Sequence, residues 1–161
     1  AHYMESYEDC DFGDAKLRRV DFEGSRHIRS RFAGLIDDCE FRALPKGVRR
    51  AKVKNTMEGV DLGGATVRFT DFHMLDLSAC VLPASPEHLK FADAGVFAQR
   101  VLREISRSDK PHLILRVLME RTRDNAPPGG GGPGFRHRLD LGDTPEEIEH
   151  AEALMRACGA Y

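Results

Sequence analysis

Apolar residues recur at every fifth position through the first half of the chain. The series reads Phe12, Leu17, Phe22, His27 and Phe32, and resumes as Met57, Leu62, Val67, Phe72, Leu77 and Leu82. Neither the 3.6-residue period of a helix nor the two-residue period of a strand produces this spacing. The pattern therefore predicts a chain that turns a corner every five residues and points one large side chain inward from each side.

A second series, made mostly of small side chains, lies two residues ahead of the first. It reads Cys10, Ala15, Val20, Ser25 and Ser30, and then Asn55, Val60, Ala65, Thr70, Leu75 and Cys80. Each unit thus offers one large and one small inward position. Stacked turns of such a coil would pair their backbones at the usual strand spacing of about 4.8 Å.

Several successive units resemble the A-(D/N)-L-x-x repeat of pentapeptide-repeat proteins. The matching units are Cys-Asp-Phe-Gly-Asp at 10–14, Val-Asp-Phe-Glu-Gly at 20–24, Val-Asp-Leu-Gly-Gly at 60–64, Thr-Asp-Phe-His-Met at 70–74 and Leu-Asp-Leu-Ser-Ala at 75–79. The resemblance covers about residues 8–42 and 55–83. It implies a mainly β fold, a right-handed quadrilateral β-helix of about three coils, and says little about function because such solenoids serve many roles.

Two positions depart from the pattern. His27 stands where a large apolar residue is expected, and we interpret it as a polar residue tolerated near an end or edge of the coil, with a ligand role as the alternative. Phe41 follows Phe32 by nine residues instead of ten. This slip predicts a bulge or corner near residues 35–38.

A basic segment interrupts the repeats at residues 43–56. It contains no acidic residue and carries five basic ones, Lys46, Arg49, Arg50, Lys52 and Lys54. One interpretation is a solvated loop without a partner. The other is a contact surface for an acidic protein surface or a phosphate-bearing ligand, and these five residues are then the candidate partner-binding site. Nucleic acid is disfavoured because no aromatic residues are interleaved with the charges.

The five-residue period stops after Pro83, which predicts a separate α+β segment over residues 84–161 that caps one end of the coil. Ser85 and Pro86 resemble a helix start, and the following pattern predicts a helix over 87–107 with a break near Gly95. Thr144, Pro145 and Glu147 form a capping-box pattern that predicts a last helix ending near Cys158 and Gly159.

The stretch between these helices is less clear. Residues 135–141 alternate as a strand, and 112–122 fit either a strand or a helix. Because a strand needs a partner, the sequence favours a strand over 112–122. The Gly/Pro-rich run at 125–134 is typical of a flexible connector.

Composition narrows the class of protein. The chain has 161 residues, a formal net charge of −2 and four widely spaced cysteines, Cys10, Cys39, Cys80 and Cys158. The spacing offers no zinc motif and favours free core thiols. No apolar run is longer than four residues, and no charged-then-apolar leader opens the chain, so we expect a cytoplasmic protein with no membrane segment, no metal and no cofactor.

Function is predicted only as a class. No catalytic motif is found in the sequence, so the leading hypothesis is a non-catalytic protein-protein interaction module, in its most concrete form a bacterial immunity protein that binds and neutralises a toxin. A homodimer stays open. A DNA-mimicking modulator of DNA gyrase, which the resemblance suggests, is disfavoured because acidic and basic residues nearly balance over 8–42. The remaining alternative is an enzyme with His137, Asp140 and Glu147 in the C-terminal segment.

Overall fold

The computed structural model describes residues 6–44, 56–127 and 132–161. The chain divides into two compact units, Ala1–Ser85 and Pro86–Tyr161. The division lies two residues beyond the boundary expected from the end of the five-residue period. The expected capping of the coil by the second unit stays a prediction.

The described part of the first unit is built from very short strands. They are β1 (Ser6–Glu8), β2 (Asp11–Phe12), β3 (Lys16–Arg18), β4 (Asp21–Glu23), β5 (Arg26–Ile28), β6 (Arg31–Phe32), β7 (Leu35–Asp37), β8 (Glu40–Arg42), β9 (Met57–Glu58), β10 (Thr66–Arg68) and β11 (Asp71–His73). Each lasts two or three residues because the chain turns before a longer strand can form.

Successive strands join different parallel sheets, and strands β5 to β9 each pair with the strand four places earlier. Strands β10 and β11 pair with the strand three places earlier, because an isolated bridge between Arg31 and Asp61 takes the place of a strand between β9 and β10. The sheets are β1-β5-β9, β2-β6, β3-β7-β10 and β4-β8-β11. In the third of these, Leu17, Ile36 and Val67 are direct neighbours across the strands. The expectation of a β-rich first half is confirmed at this level, as parallel sheets compatible with a solenoid.

The large side chains of the five-residue series fill the interior. Phe32, Leu62 and Val67 are almost completely buried. Aromatic rings on neighbouring strands stack face to face, with centroids 4.7 Å apart for Phe12 and Phe32 and 4.5 Å apart for Phe22 and Phe41. In-register pairing of parallel strands places identical positions over one another, and offset stacking is a favourable geometry for such rings.

Most described members of the small series are buried or half-buried, and hydroxyl groups among them form hydrogen bonds with the backbone at the corners. The Ser30 hydroxyl donates to the Tyr7 carbonyl at 2.9 Å, and the Thr70 hydroxyl donates to the Arg68 carbonyl at 2.8 Å. The backbone N–H of Cys39 in turn donates to Thr70 Oγ1 at 3.4 Å. A slim inward residue thus leaves room for the corner and offers a hydrogen-bond partner where the strand ends.

The one-residue shift in the repeat after Phe32 lies at the Ala33–Gly34 turn, directly before the predicted residues 35–38. Phe32 pairs with Phe12, twenty positions earlier, whereas Ile36 pairs with Leu17, nineteen positions earlier. Residues 35–37 therefore form a regular strand instead of a bulge. A side chain at Gly34 would place its Cβ 2.1 Å from the Ala15 carbonyl oxygen, so the shortened turn requires glycine.

The prediction that His27 lies near an end or edge of the coil is wrong. Its side chain is 1 % exposed, and its strand β5 is the central strand of its sheet. The imidazole stacks on the Tyr7 ring at 5.1 Å and meets the edges of Phe22 and Phe41 at 5.2 and 5.5 Å. It therefore packs as a flat ring within the aromatic interior.

The second unit combines helices with one antiparallel strand pair. Its elements are β12 (His88–Phe91), α1 (Ala94–Ile105), α2 (Leu113–Asp124), β13 (Gly134–His137), a 3-10 turn (Arg138–Asp140) and α3 (Pro145–Ala157). β12 pairs with β13 so that His88 faces His137 and Phe91 faces Gly134. Buried apolar side chains from all three helices and from β12 form one core.

The preference for a strand over residues 112–122 is wrong, because this stretch is helix α2. Leu115, Leu118, Met119 and Thr122 are buried at helical spacing, whereas Leu113 is 68 % exposed. The alternation of apolar residues that favoured a strand places two of them, Leu113 and Val117, in solvent. Helical spacing buries the larger share of the apolar surface.

The predicted helix start at residue 87 is also wrong. The partner that β13 requires is β12, formed by residues 88–91, in which Leu89 and Phe91 are buried. Helix α1 begins later, where the Asp93 carboxylate caps it by accepting from Val96 N at 2.8 Å. Asp93 is thus the N-cap.

The prediction of the last helix is confirmed. The Thr144 hydroxyl accepts from Glu147 N, and the Glu147 carboxylate accepts from Thr144 N, which completes the capping box. The helix ends at Ala157, and Gly159 follows with a left-handed φ of 103°. Within the described ranges, no helix has the length and apolar character needed to cross a bilayer.

Candidate functional site

The basic residues singled out from the sequence cannot be placed in the fold. Lys46, Arg49, Arg50, Lys52 and Lys54 fall within residues 45–55, outside the described residues. Their role in partner binding stays a prediction.

The weak catalytic candidates of the second unit have structural partners. His137 is 4 % exposed, its Nδ1 accepts from Leu139 N at 3.2 Å, and its ring meets that of His88 edge-on at 4.9 Å. The Glu147 carboxylate accepts from the backbone of Asp143 and Thr144. Asp140 is buried in the 3-10 turn. In the described part of the chain, no group of three or more His, Cys, Asp or Glu side chains could hold a metal ion.

One corner of the first unit brings arginines and an exposed phenylalanine together. It follows strands β3, β7 and β10, and we call it the arginine corner, made of residues 18–19, 37–38 and 68–69. Arg18, Asp37 and Arg68 are direct neighbours across the sheet. The backbone continues the ladder one residue further, because Arg19 N donates to the Asp37 carbonyl and Asp38 N donates to the Arg68 carbonyl.

The turning residues of this corner adopt left-handed backbone although none is glycine. Arg19, Asp38 and Phe69 have φ values of 54°, 54° and 45°. The left-handed region costs roughly 1 kcal/mol or more for a residue with a Cβ, and aspartate or asparagine tolerate it better than an aromatic residue does. Phe69 is therefore a strained position.

Another corner of the same unit shows how the chain meets the same requirement with glycine. There Asp9, Arg29 and Gly59 adopt left-handed φ values of 52°, 48° and 63°. Their backbone N–H groups donate to the carbonyl groups of Ile28 and Glu58, which end strands β5 and β9, and of Ala79, which lies in a turn. The two corners differ most in their third residue, which is glycine in one and phenylalanine in the other.

The arginine corner is exposed, and two of its arginines, Arg18 and Arg19, form only long ion pairs. The side chains of Arg18 and Arg19 are 67 % and 87 % exposed, and their closest distances to Asp37 and Asp38 are 3.7 and 3.5 Å. The Arg68 guanidinium lies 4.9 Å from the centroid of the Phe69 ring, which is itself 47 % exposed. Arginine and aromatic side chains are the types enriched at protein interfaces.

The second unit contains a cavity of about 440 Å³ between the start of α2 and the start of α3. Three basic side chains line it, Lys110, His112 and His150, and we call them the basic triad. The Lys110 ammonium lies 3.1 and 2.8 Å from the two ring nitrogens of His150.

The surroundings of the basic triad are mixed. Leu113, Ile114 and Leu141 supply apolar surface, and Asp143, Glu146 and Glu147 supply carboxylates. The pKa of His112 is lowered, first by burial and then by the positive charges of its neighbours in the triad. The arrangement can hold an anion beside an apolar surface.

Sequence reasoning missed both of these regions. Phe69 lies between the inward positions Val67 and Phe72, so its place outside the register was a readable signal of an exposed aromatic residue. The cavity had no such signal, because residues 110–114 and 141–150 are brought together by packing.

The chain was also compared with known proteins. No family model matches it, and neither does any curated protein or solved structure with which it was compared.

Proposed function

We propose that the chain is a non-catalytic protein-binding module, that its first unit is a right-handed, four-sided β-helix of the pentapeptide-repeat type, and that the arginine corner is its contact surface. The four-sided form is supported by the order in which the chain visits its sheets. The chain passes through four parallel pairings in turn, with the Arg31–Asp61 bridge in the place of a strand between β9 and β10. A solenoid of this kind offers a rigid outer surface on which a partner can dock without rearrangement.

The observation that carries the proposal is the exposed Phe69 in left-handed backbone. At the other corner, the matching position is occupied by Gly59, which makes the same left-handed turn. The turn itself therefore does not require an aromatic side chain. Backbone strain concentrates at functional positions, where it is offset by a gain elsewhere. Here that gain is an aromatic anchor which a partner can bury.

Electrostatics favour a protein partner over a role as a mimic of DNA. A mimic of a polyanion needs a marked excess of negative charge, whereas the arginine corner presents three arginines and two aspartates. The partner surface that suits it is therefore an acidic one with a pocket for the Phe69 ring. In the immunity form of this proposal that partner is a toxin.

The test compares three variants of the full chain with the wild type. Phe69→Asn removes the ring but tolerates the left-handed backbone, and Arg19→Glu reverses an exposed charge. Arg29→Glu is the matched control, because Arg29 also has left-handed backbone and pairs with an aspartate about twenty positions away, at the other corner.

Proteins from the native host are captured on each immobilised variant and quantified by mass spectrometry, and the captured protein is then purified for affinity measurement. We expect Phe69→Asn and Arg19→Glu to weaken binding by about tenfold or more, as removal of interface anchors does, and Arg29→Glu to leave it within twofold or so.

We also expect Phe69→Asn to raise the free energy of unfolding by about 1 kcal/mol, because it relieves strain. A captured partner whose affinity is the same for Phe69→Asn and wild type contradicts the proposal, and so does the absence of any specific partner.

A further inference from the structure

The cavity of the second unit contains a lysine whose ammonium group contacts a histidine ring. Within the described part of the chain, the Lys110 ammonium meets the ring of His150 instead of a carboxylate, although three acidic residues line the same cavity. The ammonium can donate to an unprotonated ring nitrogen, but a neutral imidazole does not balance its charge, and the two groups repel once the ring is protonated. The arrangement suits a ligand that brings a negative charge of its own.

The neighbouring end of α2 adds hydrogen-bond donors to the same cavity. His112 is its N-cap, with a left-handed φ of 36°, but its side chain makes no cap hydrogen bond, and the first turn holds no acidic residue. The first helical N–H with an acceptor inside the helix is that of Arg116, which donates to the His112 carbonyl. The start of α3 differs, because Thr144 and Glu147 already cap it.

The acidic residues of the lining limit how much negative charge the ligand can carry. Glu147 is held by the backbone of Asp143 and Thr144, whereas the Asp143 and Glu146 side chains are exposed beside the opening. Their charges repel a dianion such as a phosphate monoester more strongly than a monoanion. Lys110 is the one lysine of the triad, and its single positive charge balances one negative charge on the ligand.

Most of the remaining lining is apolar and indicates what the body of the ligand would be. Leu113 is 68 % exposed and lies beside Ile114, Pro111 and Leu141. A cavity of about 440 Å³ falls within the size range of small-molecule sites, in which a few polar groups orient a mainly apolar ligand. An anion with a short hydrocarbon body would cover this surface.

We propose that the basic triad and the open end of α2 bind the carboxylate of a small organic monoacid whose apolar body lies on Leu113, Ile114 and Leu141. This site is independent of the arginine corner and goes beyond the proposed function. It gives the second unit a ligand-binding role of its own.

The experiment titrates the ¹⁵N-labelled full chain with hexanoate and, in parallel, with hexanamide, which has the same shape but no charge. We expect saturable amide shifts confined to residues 110–116 and 141–150, with a Kd for hexanoate below about 5 mM, in keeping with the small number of atoms in the probe. Lys110→Met should weaken binding about tenfold, as loss of a charge-assisted hydrogen bond does. Lys90→Met, a lysine replacement on β12 outside the cavity, is the matched control and should leave the Kd unchanged.

Each other outcome overturns the proposal. If hexanamide binds as tightly as hexanoate, the carboxylate does not contribute to binding. If wild type and Lys110→Met have the same Kd, the basic triad does not bind the ligand. A response that is weaker than the stated limit, or spread over other residues, means that the cavity is not a carboxylate site. A His150→Gln variant repeats the test of the triad should Lys110→Met fail to fold.

Discussion

His27 is an ionisable ring in the interior of the first unit. Stacking on Tyr7 and edge contacts to Phe22 and Phe41 make it pack like a small aromatic residue. Burial lowers the pKa of His27 to about 4, from its ordinary value of 6.5. The folded state therefore favours the neutral imidazole, and protonation opposes folding.

This position predicts a specific pH dependence of stability. The unfolded chain takes up the proton near pH 6.5 and the folded chain only near pH 4, so the contribution of neutral His27 is complete above pH 6.5 and is lost as the pH falls towards 4. The full loss is about 3 kcal/mol. Urea unfolding at a series of pH values should show this decline in the wild type and a much flatter profile in His27→Leu. An equally steep decline in both proteins would falsify the assignment to His27.

The cysteines supply a second prediction at the residue scale. All four have free thiols, and burial raises the pKa of Cys80 to about 11 and also raises that of Cys39. Since the thiolate is the reactive form, we expect iodoacetamide at pH 7.5 to alkylate Cys80 and Cys39 far more slowly in the folded chain than in urea. Peptide mass spectrometry over time measures both rates. Similar rates in the two states would show that these thiols do not lie inside the fold.

At the scale of the element, the short turn before β7 depends on one glycine. Gly34 lies in the turn where the repeat is one residue shorter than elsewhere. A Cβ at this position would come within 2.1 Å of the Ala15 carbonyl oxygen. We expect Gly34→Ala to lower the free energy of unfolding by about 2–4 kcal/mol, because a backbone atom cannot move aside as a side chain can.

Gly13→Ala is the matched control, because a Cβ there meets only the ends of the Asp11 and Arg31 side chains, at 3.1 and 3.2 Å. Urea denaturation of both variants measures the difference. Equal losses of stability in the two variants would mean that the close approach at Gly34 does not restrict the turn.

The elements also show what a single sequence can and cannot predict. The inward positions of the coil follow from a repeat, so Phe32, Leu62 and Val67 could be identified without a structure. The same holds for α3, whose start depends on the local chemistry of Thr144 and Glu147. For α2 and β12, the local pattern fits two structures, and the choice depends on which surface the rest of the unit covers.

The candidate sites follow the same division. The position of Phe69 outside the repeat could have marked the arginine corner, because an aromatic residue there has no inward place to occupy. The cavity could not have been predicted, since Lys110 and His150 are forty positions apart and neither belongs to a motif.

At the scale of the whole molecule, the chain combines two units with different construction. The first is built by repetition, each described strand pairing in parallel with a strand three or four places away, and its surface is therefore regular. The second has one apolar core and a cavity lined by side chains from distant positions. This difference is the basis of our two proposals, protein binding at the regular surface and small-molecule binding in the cavity.

The central claim is that the first unit is a coil whose successive turns stack in register. The most direct measurement is methyl NOE spectroscopy on a chain with labelled Leu, Ile and Val methyl groups. In-register stacking places the methyl groups of Leu17 near those of Ile36, and those of Ile36 near Val67, at roughly the strand spacing of 4.8 Å. We expect strong NOEs for both pairs, and a folded protein in which either pair gives none would contradict the account.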